Sequence, residues 1–314
     1  MTAKRIAITG GTGFVGRHLA ELLRERGHEP VILSRRAGVD VGDVDALARS
    51  FTGCDAVAHL AGINRELGDQ TYPRVHVDGT RNVVDAARRA GVRRIALLSF
   101  LRARPACGSP YHESKFAAEE IVRASGLTFA ILKCGVIYGR ADHLLDHLSD
   151  ALHTIPLFAT VGLRQPPLRP TAVRDVASIL CAALVEDRLA DQTVAVVGPE
   201  TLTMRDLATR VGGAIGRTPW IVPMPVAFHR VLACAAEAVM HVPLVSRAQV
   251  RMLAEGLTDA APPADELPDD LKPRTRLTPE SIRRGLPPPE PFGCRDLRFS
   301  DHCPLVRLMR PCAR

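Results

Sequence analysis

Two side chains suited to proton transfer lie four positions apart near the middle of the 314-residue chain. They are Tyr111 and Lys115 of the run YHESK, at the start of a segment with helical periodicity, and residues four apart share a helix face. A nearby ammonium group stabilises a phenolate and lowers the pKa of the tyrosine, which can then exchange a proton with a substrate near neutral pH. Because this spacing often arises by chance, the elements around it decide its meaning.

A glycine-rich loop near the amino terminus supplies the first such element. The run TGGTGFVG places Gly10, Gly13 and Gly16 directly between a strand-like segment and a helical pattern. Gly10 permits a tight turn, Gly13 lets the backbone approach a pyrophosphate, and Gly16 lets the helix pack closely. The helix N-terminus then offers free N–H groups to phosphate. The loop predicts a dinucleotide site, and a simple tight turn is the alternative.

The end of the second strand bears on the choice of dinucleotide. An acidic side chain there binds the ribose hydroxyls of NAD, whereas a basic one pairs with the 2′-phosphate of NADP. The strand pattern at 30–34 ends in Ser34-Arg35-Arg36, with two guanidinium groups and no carboxylate. The sequence therefore favours NADP(H), with NAD(H) as a possible cofactor. The alternative is that both arginines are solvated surface residues.

Alternating strand and helix patterns predict the frame that holds these residues. Repeated βα units imply an α/β fold with a Rossmann-type, doubly wound parallel sheet. The hydrophobic content is 46% and the aromatic content only 4%, which fits buried aliphatic strands. Strand patterns lie at 4–9, 30–34, 55–62, 93–99 and 128–135, and helical patterns follow the glycine loop and lie near 78–90 and 112–125.

The patterns divide the chain into three parts. Residues 1–155 are expected to form the dinucleotide-binding Rossmann domain. Residues 156–257 form a smaller, helix-rich region on the substrate side, with helical patterns at 172–186, 203–215 and 224–256, and its strand pattern at 192–198 can contribute back to the sheet. Residues 258–314 are expected to be a Pro-rich, basic, partly irregular tail, with 258–292 as a linker or surface wrap.

The sequence also bears on the cellular location of the protein and on whether it binds a metal ion. The start MTAKR leads into a strand without the apolar stretch of a signal peptide, and no run approaches the roughly 18 apolar residues of a spanning helix. We therefore expect a cytoplasmic protein. No metal site is expected, because no cysteine pair has the spacing of a zinc ligand set; the cysteines are at positions 54, 107, 134, 181, 234, 294, 303 and 312.

The positive charge lies mainly at the end of the chain. The formal net charge is +7, and residues 271–314 hold ten Lys or Arg against four Asp or Glu. Such a tail can meet nucleic acid or an anionic membrane, although a solvated extension is the favoured interpretation. No stacking motif, helix-turn-helix or finger accompanies it, so no nucleic-acid partner is expected.

The motifs together resemble a known family. The runs TGGTGFVG, HLAG at 59–62 and VHVDGTRNVVDAA at 75–87, followed by the Tyr-x-x-x-Lys pair, have the order seen in short-chain dehydrogenases/reductases. The likeness is to the extended and atypical branch, that is, to NAD-dependent epimerase/dehydratase-like proteins. Within it, the chain is most similar to the group that includes the NADPH-binding accessory subunit of mitochondrial complex I. The motifs cover about 4–139, and a weaker likeness continues to about 215.

The resemblance implies roles for individual residues. Tyr111 and Lys115 would be catalytic and face the nicotinamide ribose and the substrate. Arg35 and Arg36 would contact the 2′-phosphate, and Asp40 and Val41 the adenine, although Asp40 could equally be a surface carboxylate in a loop. The remaining cofactor residues would be Gly10, Thr12, Gly13, Phe14, Val15 and Gly16 at the pyrophosphate and Leu60, Ala61 and Gly62 at the adenosine ribose.

Three positions depart from the pattern of the family. Leu101 stands where these enzymes usually carry a Ser or Thr that polarises the substrate carbonyl, and Ser99, two residues earlier, has a doubtful reach. Cys134 lies where Arg-Pro-Gly is usual and is interpreted as a small buried hydrophobe, with a reactive thiol as the alternative. His76 replaces a common asparagine, so a proton relay there is altered or absent.

Two functions remain open from the sequence. The first is an NADP(H)-preferring oxidoreductase or epimerase in which Tyr111 exchanges the proton. The second is an NADPH-binding protein with little turnover that serves a structural, redox-sensing or assembly role. The missing serine supports the second, as do the apolar residues on more than one face of 225–257 and the basic tail, which indicate a possible peripheral membrane or protein partner. The small-molecule substrate is unknown, because specificity in this fold lies in the C-terminal region.

Overall fold

The structure, a computed structural model, describes residues 2–155, 157–239 and 247–286. These residues form two compact units that interleave along the chain. Unit 1 comprises 1–138, 169–201 and 257–276, and unit 2 comprises 139–168, 202–256 and 277–314. A unit boundary at 256/257 lies beside the one expected at residue 257. The boundary expected at 155 falls inside a segment of unit 2, because the chain leaves unit 1 at 138 and returns to it at 169 and again at 257.

Strands and helices alternate through the first half of the chain as the patterns predict. The strands are β1 (Arg5–Thr9), β2 (Glu29–Leu33), β3 (Ala56–His59), β4 (Arg94–Phe100), β5 (Thr128–Cys134), β6 (Ile137–Tyr138), β7 (Leu157–Val161), β8 (Thr171–Ala172), β9 (Gln192–Val196) and β10 (Trp220–Met224). The helices are α1 (Phe14–Glu25), α2 (Val44–Phe51), α3 (Gly79–Arg89), α4 (Pro110–Arg123), α5 (His143–Thr154), α6 (Val173–Val185), α7 (Met204–Ala214), α8 (Val226–Val239), α9 (Arg247–Glu255) and α10 (Pro279–Gly285).

Unit 1 is built on a parallel sheet of six strands in the order β2-β1-β3-β4-β5-β9. The order reverses between β1 and β3, so the crevice beyond their carboxyl ends is the switch point where doubly wound folds bind ligands. The glycine loop follows β1 at this point. The predicted Rossmann-type fold is confirmed, and the expected return of 192–198 to the sheet is seen in β9.

Two apolar clusters cover the faces of this sheet. One joins α1 and α6 to the strands and includes Leu19, Leu180 and Val194; the other joins α2, α3 and α4 and includes Phe51, Val83 and Ile131. Their side chains are almost entirely aliphatic, as the low aromatic content predicts. Both faces of the sheet are therefore dry, as parallel sheets require.

The segment expected to be a linker or surface wrap contributes to the unit 1 core. Leu267 is buried in the cluster with α6 and β9. Asp265 pairs with the edge of β9, where its N–H donates to the Thr193 carbonyl at 2.8 Å and its carbonyl accepts from the Ala195 N–H at 3.2 Å. The stretch around it is mostly exposed or half-buried, so this segment wraps the surface of unit 1 and adds one leucine to the core.

Unit 2 is smaller and mostly helical. Its strands β7 and β10 pair in parallel, with Leu157 opposite Trp220, and β10 leads through Pro225 into α8. Helix α7 begins with a capping box formed by Thr203 and Asp206. The pattern at 224–256 corresponds to α8 and α9, and residues 240–246 lie outside the described residues, as do residues 287–314 of the predicted tail.

Candidate functional site

The glycine loop has the close packing that its glycines predict. Gly10 has a φ of +71°, which favours glycine, and a Cβ there would lie 2.7 Å from the Ala61 nitrogen. A Cβ on Gly16 would lie 2.4 Å from the Gly10 carbonyl oxygen, so only glycine lets α1 start this close to the loop. The loop after β1 and the loop of Leu60, Ala61 and Gly62 after β3 thus meet backbone to backbone.

The first turn of α1 is open to an anion. Gly13 is the exposed N-cap residue, and no side chain hydrogen-bonds the free amides of this turn. The turn contains no acidic residue. Thr12 and Phe14 are partly exposed beside it, whereas Val15 points into the core and offers only its backbone. The arrangement fits the pyrophosphate of a dinucleotide, because unpaired N–H groups and the helix dipole both favour negative charge.

Arg35 and Arg36 lie in a 3₁₀ turn immediately after β2. The Ser34 hydroxyl caps this turn by accepting from the Ala37 N–H at 3.1 Å, and Gly38 closes it in the left-handed conformation. Both arginines are exposed, and Arg35 makes only a 4.0 Å contact to the Asp40 carboxylate. Among the described residues Arg36 has no ion pair, so both guanidinium groups are accessible to an anion.

Asp40 and Val41 form a turn beside α3. The Asp40 carboxylate accepts from the Gly42 N–H at 2.7 Å, and the Val41 carbonyl accepts from the Asn82 side chain at 2.9 Å. Gly79 allows this approach, since a Cβ there would lie 2.8 Å from the Val41 side chain. The turn is therefore fixed against α3, and one oxygen of Asp40 is already used.

Tyr111 lies in the first turn of α4, which starts after Ser109 as the N-cap and Pro110 as the first residue. Its ring is buried and packs edge-on against Tyr72, His76 and Phe100, with ring centroids 5.4–5.8 Å apart. Burial, followed by the nearby Tyr72, raises the pKa of Tyr111 well above its usual value. The expectation of a lowered pKa is wrong for the chain by itself, because desolvation outweighs any effect of Lys115.

The side chain of Lys115 extends from α4 towards the carboxyl-terminal part of β4. Its Nζ donates to the Leu98 carbonyl at 3.3 Å and lies 3.1 Å from the place of a Cβ on Gly62. Burial lowers the pKa of Lys115 to about 8, against the opposing effects of Glu119 and Cys134. The structure therefore brings Lys115, the loop after β3 and the start of α4 together at the carboxyl ends of β3 and β4.

Both ring nitrogens of His76 form hydrogen bonds with neighbouring groups. Its Nδ1 donates to the Ser114 hydroxyl at 2.9 Å, because that hydroxyl itself donates to the Tyr111 carbonyl, and its Nε2 accepts from the Ile63 N–H at 3.1 Å. Burial and Lys115 lower the pKa of His76 to about 2. The neutral ring thus ties the loop after β3 to α4 and has no nitrogen left for a proton relay.

A second buried histidine, which the sequence reasoning missed, holds β1, β3 and α3 together. The Thr80 hydroxyl donates to the His76 carbonyl at 2.5 Å, so it accepts from Nε2 of His59 at 3.0 Å. Nδ1 of His59 then accepts from the Thr9 hydroxyl at 2.7 Å. Burial lowers the pKa of His59 to about 3. The HLAG run contained this residue, but only the fold shows its partners.

Ser99 does not replace the missing serine of the family. Its hydroxyl donates to the Glu119 carboxylate at 2.5 Å, in the interior of unit 1. The same carboxylate accepts from Lys133 at 3.1 and 3.2 Å and from Arg123 at 2.9 Å. The doubt about the reach of Ser99 is answered by this network, which fixes the hydroxyl on Glu119 of α4.

Two further departures lie in the interior. Leu101 is fully buried and carries no polar group. Cys134 is also buried, and burial raises the pKa of its thiol to about 12, which agrees with a small hydrophobe rather than a reactive thiolate. Neither residue can polarise a substrate carbonyl.

The groove of unit 1 lies away from the Tyr111–Lys115 pair. A groove of about 350 Å³ in unit 1 does not include Tyr111 or Lys115; it is lined by Phe116, Glu120, Arg123, Lys133, Thr193 and residues 262–265. Among the described residues, no three His, Cys, Asp or Glu side chains are arranged to hold a metal ion. The described helices are also all too short or too polar to cross a membrane.

The profile of the NAD dependent epimerase/dehydratase family matches residues 6–198, which is more than half of the chain. The chain belongs to this family. The match covers the glycine loop, the loop after β3 and the Tyr111–Lys115 pair, and it ends two residues after β9. Membership supports an NAD(P)-binding oxidoreductase or epimerase, and the resemblance to short-chain dehydrogenases/reductases is confirmed.

Individual relatives share different parts of the chain. A ceramide reductase of Caulobacter vibrioides is 38% identical over 151 residues, covering 44% of this chain and 47% of its own length. The bovine epimerase family protein SDR39U1 is 25% identical, with coverage of 75% and 88%. A mouse mitochondrial protein, NADH dehydrogenase [ubiquinone] 1 alpha subcomplex subunit 9, is 25% identical, with coverage of 69% and 63%. The chain thus spans about half of the Caulobacter protein.

The fold is shared with solved structures of the family. The UDP-glucose 4-epimerase of Thermus thermophilus, in complex with NAD, superposes with a TM-score of 0.63 at 21% identity over 90% of this chain and 97% of its own. At this identity the likeness concerns the fold alone. It agrees with the Rossmann-type fold of the chain.

Proposed function

We propose that this chain is an NADP(H)-preferring reductase of the short-chain dehydrogenase type, with Tyr111 as the proton donor. The observation that carries the proposal is the turn after β2. Arg35 and Arg36 are exposed there, Arg36 has no ion pair among the described residues, and the first carboxylate after the strand is Asp40, which is engaged in its own turn. Two accessible guanidinium groups suit a 2′-phosphate, and they lack the carboxylate that would bind two ribose hydroxyls.

The other cofactor contacts follow from the two loops at the switch point. The amides of the first turn of α1 would hold the pyrophosphate, and Gly13 leaves room for it because it has no side chain. Lys115, whose Nζ lies close to Gly62, would position the ribose that carries the nicotinamide. A bound NADPH would supply the hydride, and the protein would orient the acceptor and supply the proton.

Tyr111 is in the protonated state that a proton donor needs at neutral pH. Burial raises its pKa, so at neutral pH the phenol holds its proton and can give it to the oxygen of a substrate carbonyl as that oxygen gains charge. The ammonium group of Lys115 would then stabilise the phenolate by its charge. One relative bears the name ceramide reductase, so the first compounds to offer are a ceramide with a ketone in place of its secondary hydroxyl, together with NADPH, and ceramide with NADP⁺ for the reverse reaction.

The first experiment measures cofactor binding. Calorimetric titration with NADPH and NADH should give tighter binding of NADPH, and an Arg35→Ala, Arg36→Ala double variant should weaken NADPH by about 10- to 100-fold while NADH changes little. That factor corresponds to a loss of ~1.5–3 kcal/mol of charge-assisted hydrogen bonding. An Arg24→Ala, Arg93→Ala variant removes two exposed arginines, one in the last turn of α1 and one just before β4, away from the glycine loop. It should leave both affinities unchanged.

Three results would contradict this proposal. Equal affinities for the two dinucleotides would remove the preference for NADP(H). An equal loss for the control variant would make the effect one of general charge. The absence of binding of either dinucleotide would leave the family fold without its cofactor function.

A protein that binds NADPH with little turnover is the second candidate, and the contacts of Ser99 favour it. That hydroxyl is held by Glu119 and Leu101 carries no donor, so the group that would polarise a carbonyl is absent from the strand end. Such a donor contributes roughly 10²–10³ in rate. Consumption of NADPH with the keto form of ceramide that disappears in Tyr111→Phe would support the enzyme, whereas tight binding with no consumption beyond buffer would support this candidate. The cytoplasmic location stays a prediction.

A further inference from the structure

Unit 2 exposes an apolar surface that is unusual for a folded chain. Nine large hydrophobic side chains are exposed among the described residues, and eight of them lie in two segments of unit 2, namely 155–163 and 220–232. The members are Ile155, Leu157, Leu163, Trp220, Val222, Phe228, Val231 and Leu232. We call these eight side chains the apolar patch. A concentration of this kind marks an interaction site, whereas scattered exposed hydrophobes need no explanation.

The contacts within unit 2 hold the two segments together. Strands β7 and β10 place Leu157 opposite Trp220, and the Gly162 N–H donates to the Met224 carbonyl at 2.8 Å. The ring of His229 shares a hydrogen bond of 3.2 Å with the Ala159 carbonyl, which ties α8 to β7. The patch is therefore a feature of packed structure and not of separate loose ends.

Helix α8 contributes three side chains to the patch. Phe228, Val231 and Leu232 have the spacing of a single helix face, and Val231 is 71% exposed. Ala233 and Ala236 instead face the interior of unit 2. Among the described side chains of this helix, Arg230 is the only Lys, Arg, Asp or Glu. The helix thus buries small residues and presents larger apolar ones to the solvent, the reverse of an ordinary surface helix.

The two segments that carry the members of the patch contain arginines and no carboxylate. Residues 155–168 and 217–236 contain three arginines, Arg164, Arg217 and Arg230, and no Asp or Glu. All three are exposed, and none of them has an ion pair within the described part of the chain. An apolar surface with unpaired arginines complements one that is apolar beneath a layer of negative charge. Anionic phospholipid membranes have this structure.

We propose that the apolar patch docks unit 2 on the surface of an anionic phospholipid bilayer, with Trp220 and the outer face of α8 at the level of the lipid headgroups. Trp220 suits this depth, because its indole is apolar in its body and polar at its N–H, and it is 77% exposed. The inference goes beyond the proposed reductase and does not depend on a bound cofactor.

Two other occupants fit the charges less well. In a twofold dimer the same surface meets itself, so the interface would hold the three arginines of both copies, while these segments bring no carboxylate to it. Residues 287–314 of the same chain lie outside the described residues, and they contain five Arg against three Asp or Glu. Their charge has the sign of the patch and does not neutralise it.

The chain carries its own reporter for this proposal, because Trp220 is its only tryptophan. Fluorescence of the full chain should shift to shorter wavelength when vesicles of phosphatidylcholine with phosphatidylglycerol are added, and much less with phosphatidylcholine alone. Sedimentation of the vesicles gives the affinity. Loss of the charge in Arg217→Gln, Arg230→Gln should weaken binding by about fivefold for each arginine, and added salt should weaken it further.

The apolar contribution is tested with a matched pair of variants. Phe228→Ser, Val231→Ser keeps the reporter and should abolish most of the shift, whereas Leu67→Ser removes an exposed hydrophobe of unit 1 and should leave it intact. Far-ultraviolet circular dichroism checks that each variant is folded. No shift with anionic vesicles, or an equal shift with neutral ones, would overturn the proposal. A shift that grows with protein concentration in the absence of vesicles would assign the patch to a second copy instead.

Discussion

Units 1 and 2 differ in where their large hydrophobic side chains lie. In unit 1, even a fully buried carboxylate, Glu119, has Ser99, Lys133 and Arg123 as partners, and the clusters on both faces of the sheet are dry. In unit 2, large hydrophobic side chains lie outside and the buried Oδ1 of Asp146 has no hydrogen-bond partner among the described residues. Unit 1 also holds a buried atom of this kind, Oγ1 of Thr171, so the two units differ mainly in where their large hydrophobic side chains lie.

The largest expected change in stability comes from removing the buried carboxylate of unit 1. In Glu119→Gln, Lys133 keeps its charge with only 1% of its side chain exposed, so we expect the free energy of unfolding to fall by about 3–5 kcal/mol. Urea unfolding followed by circular dichroism measures the loss. Glu120→Gln, which removes an exposed partner of Arg123 one position along α4, should cost less than ~1 kcal/mol. Equal effects of the two variants would show that burial is not the cause.

The unsatisfied carboxylate of unit 2 gives a smaller, pH-dependent effect. Burial, with the charges of Asp142 and Asp150, raises the pKa of Asp146 to about 7. A carboxyl whose pKa is raised by folding stabilises the fold when protonated, and this contribution is lost as the pH rises from about 4 through 7. Asp146→Asn should therefore have a higher melting temperature than the parent at pH 8 and an equal one at pH 4. A difference that does not change with pH would contradict the shifted pKa.

The smallest effect comes from two neighbouring glycines of α7. A Cβ on Gly213 would meet nothing within 4 Å, so Gly213→Ala should stabilise the protein by about 0.5–1 kcal/mol through the lower entropy of the unfolded chain. A Cβ on Gly212 would lie 2.6 Å from Pro219, so Gly212→Ala should destabilise it. Thermal melts of both variants measure the pair. Effects of the same sign would show that the packing around α7 differs from that described.

The sequence was sufficient for the frame and the loops of the site, because these depend on local patterns. Gly10 and Gly16 have the turn and the close packing that their spacing predicts, and every expected strand of the six-stranded sheet forms. The sequence was insufficient where a side chain finds its partner far along the chain. Ser99 meets Glu119 twenty residues away, and the burial that raises the pKa of Tyr111 comes from Tyr72 and Phe100, which only the fold brings together.

The apolar patch shows the same limit from the other side. The sequence showed apolar residues on more than one face of 225–257, and the usual meaning of that pattern is burial. The structure instead leaves Phe228 and Val231 exposed. Periodicity reports which side chains are apolar, but the face that the rest of the chain covers depends on packing that no local pattern contains.

The turn that carries Arg35 and Arg36 has a consequence for how such proteins diverge. It is closed by its own residues, with Ser34 at one end and Gly38 at the other, and no side chain of the turn enters the core. Mutations at positions 35 and 36 therefore change the charge offered to a ligand without a penalty in folding. Under the proposed role of Arg35 and Arg36, natural selection can change the nucleotide preference here in a few steps, while the sheet beneath stays the same.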